Sequence, residues 1–71
     1  MNFAKNFRVL RKSNKMTLEE LGKALGKAKS TLSTWENGQR TPKLSELSTI
    51  AKYFGVTVAQ LIDEGDKDEH L

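Results

Sequence analysis

Apolar residues recur at helical spacing along most of this chain of 71 residues. In the first segment, Phe3, Phe7 and Leu10 lie at i, i+4 and i+7, which places them on one face of a helix. This pattern predicts a first helix over Asn2–Ser13, with its apolar face towards the core. The polar residues 13–15 then predict a turn.

The next segment is bounded by residues that typically begin and end a helix. Thr17 is a favourable N-cap, and Glu20, three positions later, can complete a capping box with it. Gly26 can end the helix, because glycine readily adopts the left-handed conformation. Gly22 inside this helix costs about 1 kcal/mol relative to alanine, which predicts that the next helix crosses it closely. The apolar stripe consists of Leu21, Ala24 and Leu25.

A third helix is predicted over Lys29–Asn37. Leu32 and Trp35 lie three positions apart on its apolar side, and most of its other positions are polar. Gly38 supplies the C-cap. Because the connection before this helix is short and contains a glycine, the second and third helices together predict a helix-turn-helix.

The C-terminal part of the chain predicts two more helices. Pro42 lies in a polar loop, since proline disfavours helical backbone at the residue before it. The fourth helix begins at Leu44 or Ser45 and ends at Phe54, and a short fifth helix spans 58–62 after a second capping-box sequence. No segment alternates as a strand would, so the sequence predicts an all-α fold of five helices.

Charge divides the chain into a basic domain and an acidic tail. Residues 1–62 contain eleven Lys or Arg and four Glu, a net charge of +7, whereas residues 63–71 contain five Asp or Glu and one Lys, a net charge of −4. We expect one domain over 1–62 and a disordered tail over 63–71, which lacks apolar periodicity. The basic domain suggests a polyanionic partner, but solubilising surface lysines would give the same composition.

Several classes of function lack the residues that they need. The chain has no cysteine, which excludes disulfides and thiolate zinc sites, and its one histidine, His70, lies in the tail. We therefore predict no catalytic site, no metal site, no cofactor and no small-molecule ligand. No apolar run reaches the roughly 18 residues of a membrane span, and no signal peptide is evident, so we expect a cytoplasmic location.

In the order of these features the chain resembles the DNA-binding domains of the lambda/434 repressor and Cro family, the Xre-like helix-turn-helix regulators. The resemblance covers Phe7 to about Ile62. It implies a compact five-helix bundle of the lambda repressor-like type and a sequence-specific regulator of transcription, typically a repressor, that binds double-stranded DNA. The features that carry the resemblance are Phe7-x-x-Leu10-Arg11, Thr17-x-Glu19-Glu20-Leu21-Gly22, Leu25-Gly26, Ser30-Thr31-Leu32-Ser33-x-Trp35-Glu36-x-Gly38, Pro42, Ile50-Ala51 and Phe54-Gly55-Val56-x-Val58.

The resemblance also implies which residues read bases. In this family the N-terminal part of the third helix contacts base edges in the major groove. The corresponding residues here are Ala28, Lys29, Ser30, Ser33 and Thr34. Lysine can donate to guanine, serine and threonine can donate or accept, and alanine can contact a thymine methyl. Solvated helix surface is the alternative role for the three hydroxyl residues.

Phosphate and minor-groove contacts are expected from the turns around that helix, where backbone amides and cationic side chains favour an anion. The expected residues are Thr17, Lys27, Asn37, Gln39, Arg40 and Lys43. Two positions depart from the family pattern. Leu18 stands where a glutamine commonly opens the second helix, and Ala28 gives the third helix no side-chain cap.

Arg11 falls beside the apolar face of the first helix, where an unpaired guanidinium is unfavourable. In the resembling family the arginine at this place pairs with the glutamate at the end of the third helix. We therefore expect a structural ion pair between Arg11 and Glu36, the alternative being two unconnected surface charges.

A homodimer on a near-palindromic operator is expected, because one small motif reads only a few base pairs. Its expected interface is Val58, Leu61 and Ile62, unless all three belong to the core. The rival hypothesis is a protein-interaction module, such as an antitoxin or an antirepressor partner, that keeps this fold but uses its surface on a protein. Leu18 and the acidic tail favour the rival slightly, and a mobility shift with DNA would discriminate between the two.

Overall fold

The computed structural model describes residues 2–63, and the regular secondary structure of this range is entirely helical. The helices are α1 (Phe3–Ser13), α2 (Leu18–Leu25), α3 (Lys29–Glu36), α4 (Leu44–Phe54) and α5 (Val58–Ile62). The prediction of an all-α fold with five helices is therefore confirmed. The predicted acidic tail lies outside the described residues, except for Asp63.

The helices begin and end within one residue of the positions expected from the sequence, because the capping residues act locally. Thr17 Oγ1 accepts a hydrogen bond from the Glu20 N–H at 3.0 Å, and Glu20 Oε1 accepts one from the Thr17 N–H at 2.9 Å, which completes the capping box of α2. The third helix ends at Glu36 instead of Asn37. Asn37 is its cap, and Gly38, with φ +78°, then turns the chain.

Aromatic rings form the centre of the core and seat α3 on α1. Phe7 is completely buried, and its ring centroid lies 5.1 Å from that of Phe3, 5.7 Å from that of Trp35 and 6.4 Å from that of Phe54. Each such pair contributes about 0.5–1.5 kcal/mol beyond the burial of its area. The core also contains the buried apolar residues Leu21, Leu32, Leu47, Ile50, Ala51 and Leu61.

Two expectations drawn from helical periodicity are wrong. Leu61, which we expected in a dimer interface, is 0 % exposed, because α5 packs on both α1 and α4 and turns this side chain inward. Its expected companions Val58 and Ile62 are half-buried at the edge of the core. Ala24 is exposed instead of joining the apolar stripe of α2, since that helix faces the core through Leu21 and its neighbouring glycine.

The first helix also holds the end of the last one. The Asn6 side-chain amide donates to the carbonyl oxygens of Leu61 at 2.8 Å, Asp63 at 2.9 Å and Gln60 at 3.3 Å. The last carbonyls of a helix have no partner within the helix. Asn6 therefore supplies the C-terminal cap of α5, whose five residues are too few for a helix that is stable by itself.

Candidate nucleic-acid interface

The turn between α2 and α3 brings the two helices close together through backbone contacts. Gly26 adopts φ +70°, and the Lys27 N–H donates to the Gly22 carbonyl at 2.8 Å in the hydrogen-bond pattern of a Schellman motif. A Cβ atom built on Gly22 would lie 2.7 Å from the Lys27 carbonyl oxygen, closer than real Cβ atoms come. The missing side chain at Gly22 therefore sets how near the start of α3 can approach α2.

The third helix buries one side and presents the other to solvent. Leu32 and Trp35 are buried, which anchors the helix in the core. Of the residues expected to read bases, Ala28, Lys29 and Ser30 are exposed, and Ser33 and Thr34 are half-buried. The hydroxyl of Thr34 donates to the Thr31 carbonyl at 2.7 Å, so its oxygen is left as an acceptor for another group. No side chain caps this helix at Ala28.

The start of α2 suits a phosphate less well than the sequence indicated. The hydroxyl of Thr17 already accepts the Glu20 N–H, although the residue itself is exposed. The first turn carries the carboxylates of Glu19 and Glu20. These charges interact favourably with the helix dipole, but they repel an approaching anion. Leu18 is half-buried and packs against the core, so it cannot replace the hydrogen bonds of a glutamine.

A groove of about 520 Å³ lies beside α3 and is lined by residues from α3, the loop that follows it and the first turn of α4. Ser30 and Thr34 come from α3, and Arg40 and Lys43 come from the loop between α3 and α4. Four of the residues expected to contact DNA thus line one surface. The complete lining is Ser30, Thr31, Thr34, Trp35, Arg40, Thr41, Lys43 and Glu46.

The loop after α3 is fixed to the helix that precedes it. The N–H groups of Gln39 and Arg40 donate to the Thr34 carbonyl at 3.0 Å and 3.3 Å, and Pro42 is buried. The four residues of this region expected to contact phosphate are all exposed, namely Asn37, Gln39, Arg40 and Lys43. The backbone is therefore held while these side chains remain accessible.

The structure contains the expected ion pair between α1 and the end of α3. Arg11 Nε donates to Glu36 Oε2 at 2.7 Å, and Arg11 Nη2 donates to Glu36 Oε1 at 3.0 Å. The remaining nitrogen, Nη1, donates to the Met16 carbonyl at 2.8 Å. The hydrogen bonds to Glu36 raise the pKa of Arg11 above its ordinary value despite partial burial. One guanidinium therefore fixes α3 relative to α1 and to the start of the helix-turn-helix.

A second ion pair joins the turn of the helix-turn-helix to α4. Lys27 Nζ lies 2.7 Å from Glu46 Oε2, and Glu46 Oε1 accepts the Lys43 backbone N–H at 2.7 Å. The hydrogen bond from Lys27, followed by that from Lys43, lowers the pKa of the Glu46 carboxyl below its usual range. Lys27, expected to contact phosphate, is thus already paired within the protein.

Sequence reasoning missed Thr31, Thr41 and Glu46 at this surface. The two threonines add hydroxyl groups to the lining of the groove, and Glu46 is the one carboxylate among its lining residues. Glu46 could have been found, because it stands three residues after Lys43 at the start of α4, which is the spacing of a capping carboxylate. Nothing in the sequence pattern singled out its pairing with Lys27.

Residues 2–63 contain neither a metal-binding cluster nor a membrane-spanning helix. No three His, Cys, Asp or Glu side chains in this range form a group that could hold a metal ion. None of the helices α1–α5 has the length and hydrophobicity that crossing a bilayer requires. The histidine at position 70 lies outside the described range.

Residues 7–61 match the sequence pattern of the helix-turn-helix family. The chain is 32% identical over 71 residues to the cryptic phage CTXphi transcriptional repressor RstR of Vibrio cholerae. The matched region covers 97% of this chain and 64% of that protein. It is 32% identical over 62 residues to the HTH-type transcriptional activator BcrR of Enterococcus faecalis, covering 87% and 30% respectively.

An uncharacterized HTH-type transcriptional regulator of Bacillus subtilis (strain 168), YobD, is also 32% identical, over 60 residues that cover 84% of this chain and 54% of that protein. The chain thus spans less than two thirds of the length of each of these three relatives. No solved structure gives a significant match to the chain.

Proposed function

This chain belongs to the helix-turn-helix family of the Cro/C1 type, the family that its sequence resembles, and we propose that it is a DNA-binding transcriptional regulator. The unit that binds DNA is residues 1–62, with 63–71 as an acidic extension. The relatives include a repressor and an activator, and we propose repression because it is the mode of action that the resemblance to the lambda/434 repressor family implies. We assign it no catalytic activity and a cytoplasmic location.

The observation that carries this proposal is that α3 is anchored in the core on one side and exposed at its N-terminal end. Its buried residues Leu32 and Trp35 anchor it, and its last residue is tied to α1 by the ion pair with Arg11, while its first turn is exposed. A helix held in this way fits the major groove, where each base pair presents a distinct set of donors, acceptors and methyl groups. The base-reading residues we propose are Ala28, Lys29, Ser30, Ser33 and Thr34.

The groove beside α3 supports a second part of the proposal, which concerns the DNA backbone. Arg40 and Lys43 bring two cations next to the reading helix, on a loop whose backbone is held by hydrogen bonds. Phosphate contacts of this kind position a protein and supply much of its affinity. We propose Asn37, Gln39, Arg40 and Lys43 as the main contacts, with Thr17 as a weaker one.

A homodimer follows from the small size of the reading surface. Two copies on a near-palindrome would place their half-sites about 10–10.5 base pairs apart, or at a multiple of that spacing. Leu61 is buried, so the proposed interface consists of Val58 and Ile62, which are half-buried and keep part of their surface accessible. Sedimentation of the wild-type chain and an Ile62→Lys variant tests this interface, with Lys52→Ala as a surface control.

Selection from randomised duplexes, followed by mobility shifts at two salt concentrations, tests the proposed function. We expect a saturable shift on the selected duplex. If about five phosphates are neutralised per chain, log K for a dimer falls against log salt with a slope of about −9. No shift on any duplex at low salt would overturn the proposal.

One observation favours a second candidate, a protein-interaction module such as an antitoxin or an antirepressor partner. The start of α2 offers two carboxylates and an apolar Leu18 where a phosphate contact was expected. A surface of that kind suits a protein better than a nucleic acid. The same mobility shifts separate the candidates, because this module gives no shift even at low salt.

A further inference from the structure

The pair formed by Lys27 and Glu46 carries an inference that rests on the proposed function and concerns how strongly the DNA backbone is held. Lys27 lies in the turn just before the reading helix, where the sequence led us to expect a phosphate contact. Its ammonium instead lies 2.7 Å from Glu46 on α4. The two side chains are 37% and 23% exposed, so this is a surface ion pair, which water and salt screen.

Glu46 is held from two directions, which fixes its carboxylate in place. One oxygen accepts the backbone N–H of Lys43, and the other accepts the ammonium of Lys27. The first bond ties the carboxylate to the start of its own helix, and the second reaches the turn of the helix-turn-helix. Both hydrogen bonds favour the ionised carboxylate and lower the pKa of Glu46.

The carboxylate of Glu46 lies at the edge of the groove beside α3, next to the proposed phosphate contacts. Glu46 lines that groove together with Arg40 and Lys43. It also lines a neighbouring depression of about 240 Å³, in which Lys27 lies with Leu25 and Ile50. The lysine is therefore directed towards α4, and its charge is balanced before DNA arrives.

We propose that Glu46 is a positioning residue that holds Lys27 away from the DNA backbone. The protein therefore makes one phosphate contact fewer than the sequence predicts, because Lys27 is not available for it. Because phosphate contacts supply binding that is independent of base sequence, this pairing limits the affinity of the protein for DNA in general. Glu46 acts through Lys27 and does not itself touch the nucleic acid.

The test compares wild type, Glu46→Gln, Lys27→Met and the double variant on a fluorescein-labelled duplex of mixed sequence, about 20 base pairs long, enough for two half-sites. Fluorescence anisotropy gives the affinity between about 50 and 200 mM KCl, the range over which phosphate contacts are most evident. Glutamine keeps an oxygen for the Lys43 N–H, so the start of α4 retains its cap.

We expect Glu46→Gln to bind more tightly at low salt and to steepen the salt slope by about 0.9 for each bound chain, the value of one added phosphate contact. Lys27→Met alone leaves the slope close to that of wild type. In the double variant the gain disappears, because the released cation is absent.

Three results would overturn the inference. The first is an unchanged slope in Glu46→Gln. The second is a gain that persists in the double variant, which would mean that removing any negative charge is enough. The third is a salt slope that is shallower by about 0.9 in Lys27→Met than in wild type, which would mean that Lys27 already contacts a phosphate.

The same measurements separate this inference from the proposed function. A wild-type chain that binds with steep salt dependence, together with a Glu46→Gln variant that matches it, leaves the function standing and removes only the inference. If none of the four proteins binds this duplex or any duplex of the randomised pool at the lowest salt, the proposed function fails and the inference falls with it.

Discussion

Arg11 of α1 reaches Glu36, the last residue of α3, through two hydrogen bonds of 2.7 Å and 3.0 Å. The same guanidinium bonds the Met16 carbonyl at 2.8 Å, just before α2 begins. The two side chains are only 13% and 9% exposed. One half-buried cation thus joins three segments of the chain, and the orientation of α3 depends on it.

Replacing Glu36 by alanine should therefore destabilise the protein strongly. The change leaves the half-buried Arg11 guanidinium without its carboxylate partner, and a polar group that loses its hydrogen-bond partner in this way costs about 1–3 kcal/mol. Urea unfolding measures this loss. Glu19→Ala, which removes an exposed carboxylate, serves as the control and should change stability by only about 0.5 kcal/mol. An unfolding midpoint of Glu36→Ala equal to that of wild type would show that the pair contributes nothing.

Gly22→Ala should weaken both the fold and DNA binding, although alanine is the better helix former. The added methyl group would lie 2.7 Å from the Lys27 carbonyl oxygen, and the turn must move to admit it. We expect a loss of about 1–3 kcal/mol, typical of overpacking. Ala24→Gly in the same helix is exposed and should cost about 1 kcal/mol without affecting DNA binding. A Gly22→Ala protein more stable than wild type would contradict this account.

Asn6→Ala should loosen α5 more than the rest of the molecule. The change removes the donors that reach three carbonyl oxygens at the end of that helix, at a cost of about 1–2 kcal/mol. Hydrogen exchange at the Leu61 amide, which is bonded to the Thr57 carbonyl, reports the local opening. Asn14→Ala removes a single bond to the Leu10 carbonyl at the end of α1 and should leave that amide protected.

Lys29→Ala and Arg40→Ala should affect DNA binding in different ways. Loss of Lys29 should cost about 1–3 kcal/mol on the selected duplex and relax one base preference, whereas loss of Arg40 should weaken all duplexes alike and reduce the salt slope by about 1. Affinities on selected and random duplexes at several salt concentrations measure both effects. Lys52→Ala on α4 is the matched control. An equal loss on both duplexes for Lys29→Ala would make Lys29 a phosphate contact.

The carboxyl of Glu46 predicts a specific acid sensitivity. Its pKa lies below the ordinary value of 4.5, so the folded protein releases this proton more readily than the unfolded chain does. The stabilisation is complete above that pH and is lost as the pH falls through 4.5 towards the lowered value. Urea unfolding between about pH 6 and pH 3 should therefore show a smaller acid loss for Glu46→Gln than for wild type. Identical acid profiles would show that the carboxylate is not stabilised by folding.

Local features of the sequence predicted the helices well. The capping box of Thr17 and Glu20 and the glycine that ends α2 act within one turn of the chain, so the sequence predicts them without reference to the tertiary structure. The ion pair between Arg11 and Glu36 was expected only from the resemblance to the repressor family, because residues 25 positions apart leave no local trace. The structure supplied its geometry.

Periodicity was less informative about the surface. It marks a residue as apolar-facing but does not say what covers that face, and for this reason Leu61 was expected at a dimer interface. Ala24 was misplaced for the related reason that an alanine stabilises a helix whether or not it is buried.

The amino-acid sequence by itself determined the five helices, their ends and the helix-turn-helix, because periodicity, caps and glycine turns depend on neighbours along the chain. Only the tertiary structure decided that Leu61 is enclosed and that Lys27 is paired with Glu46. Those outcomes depend on how segments distant in sequence pack together. A long flexible side chain, such as that of lysine, takes its partner from whichever segment lies within reach.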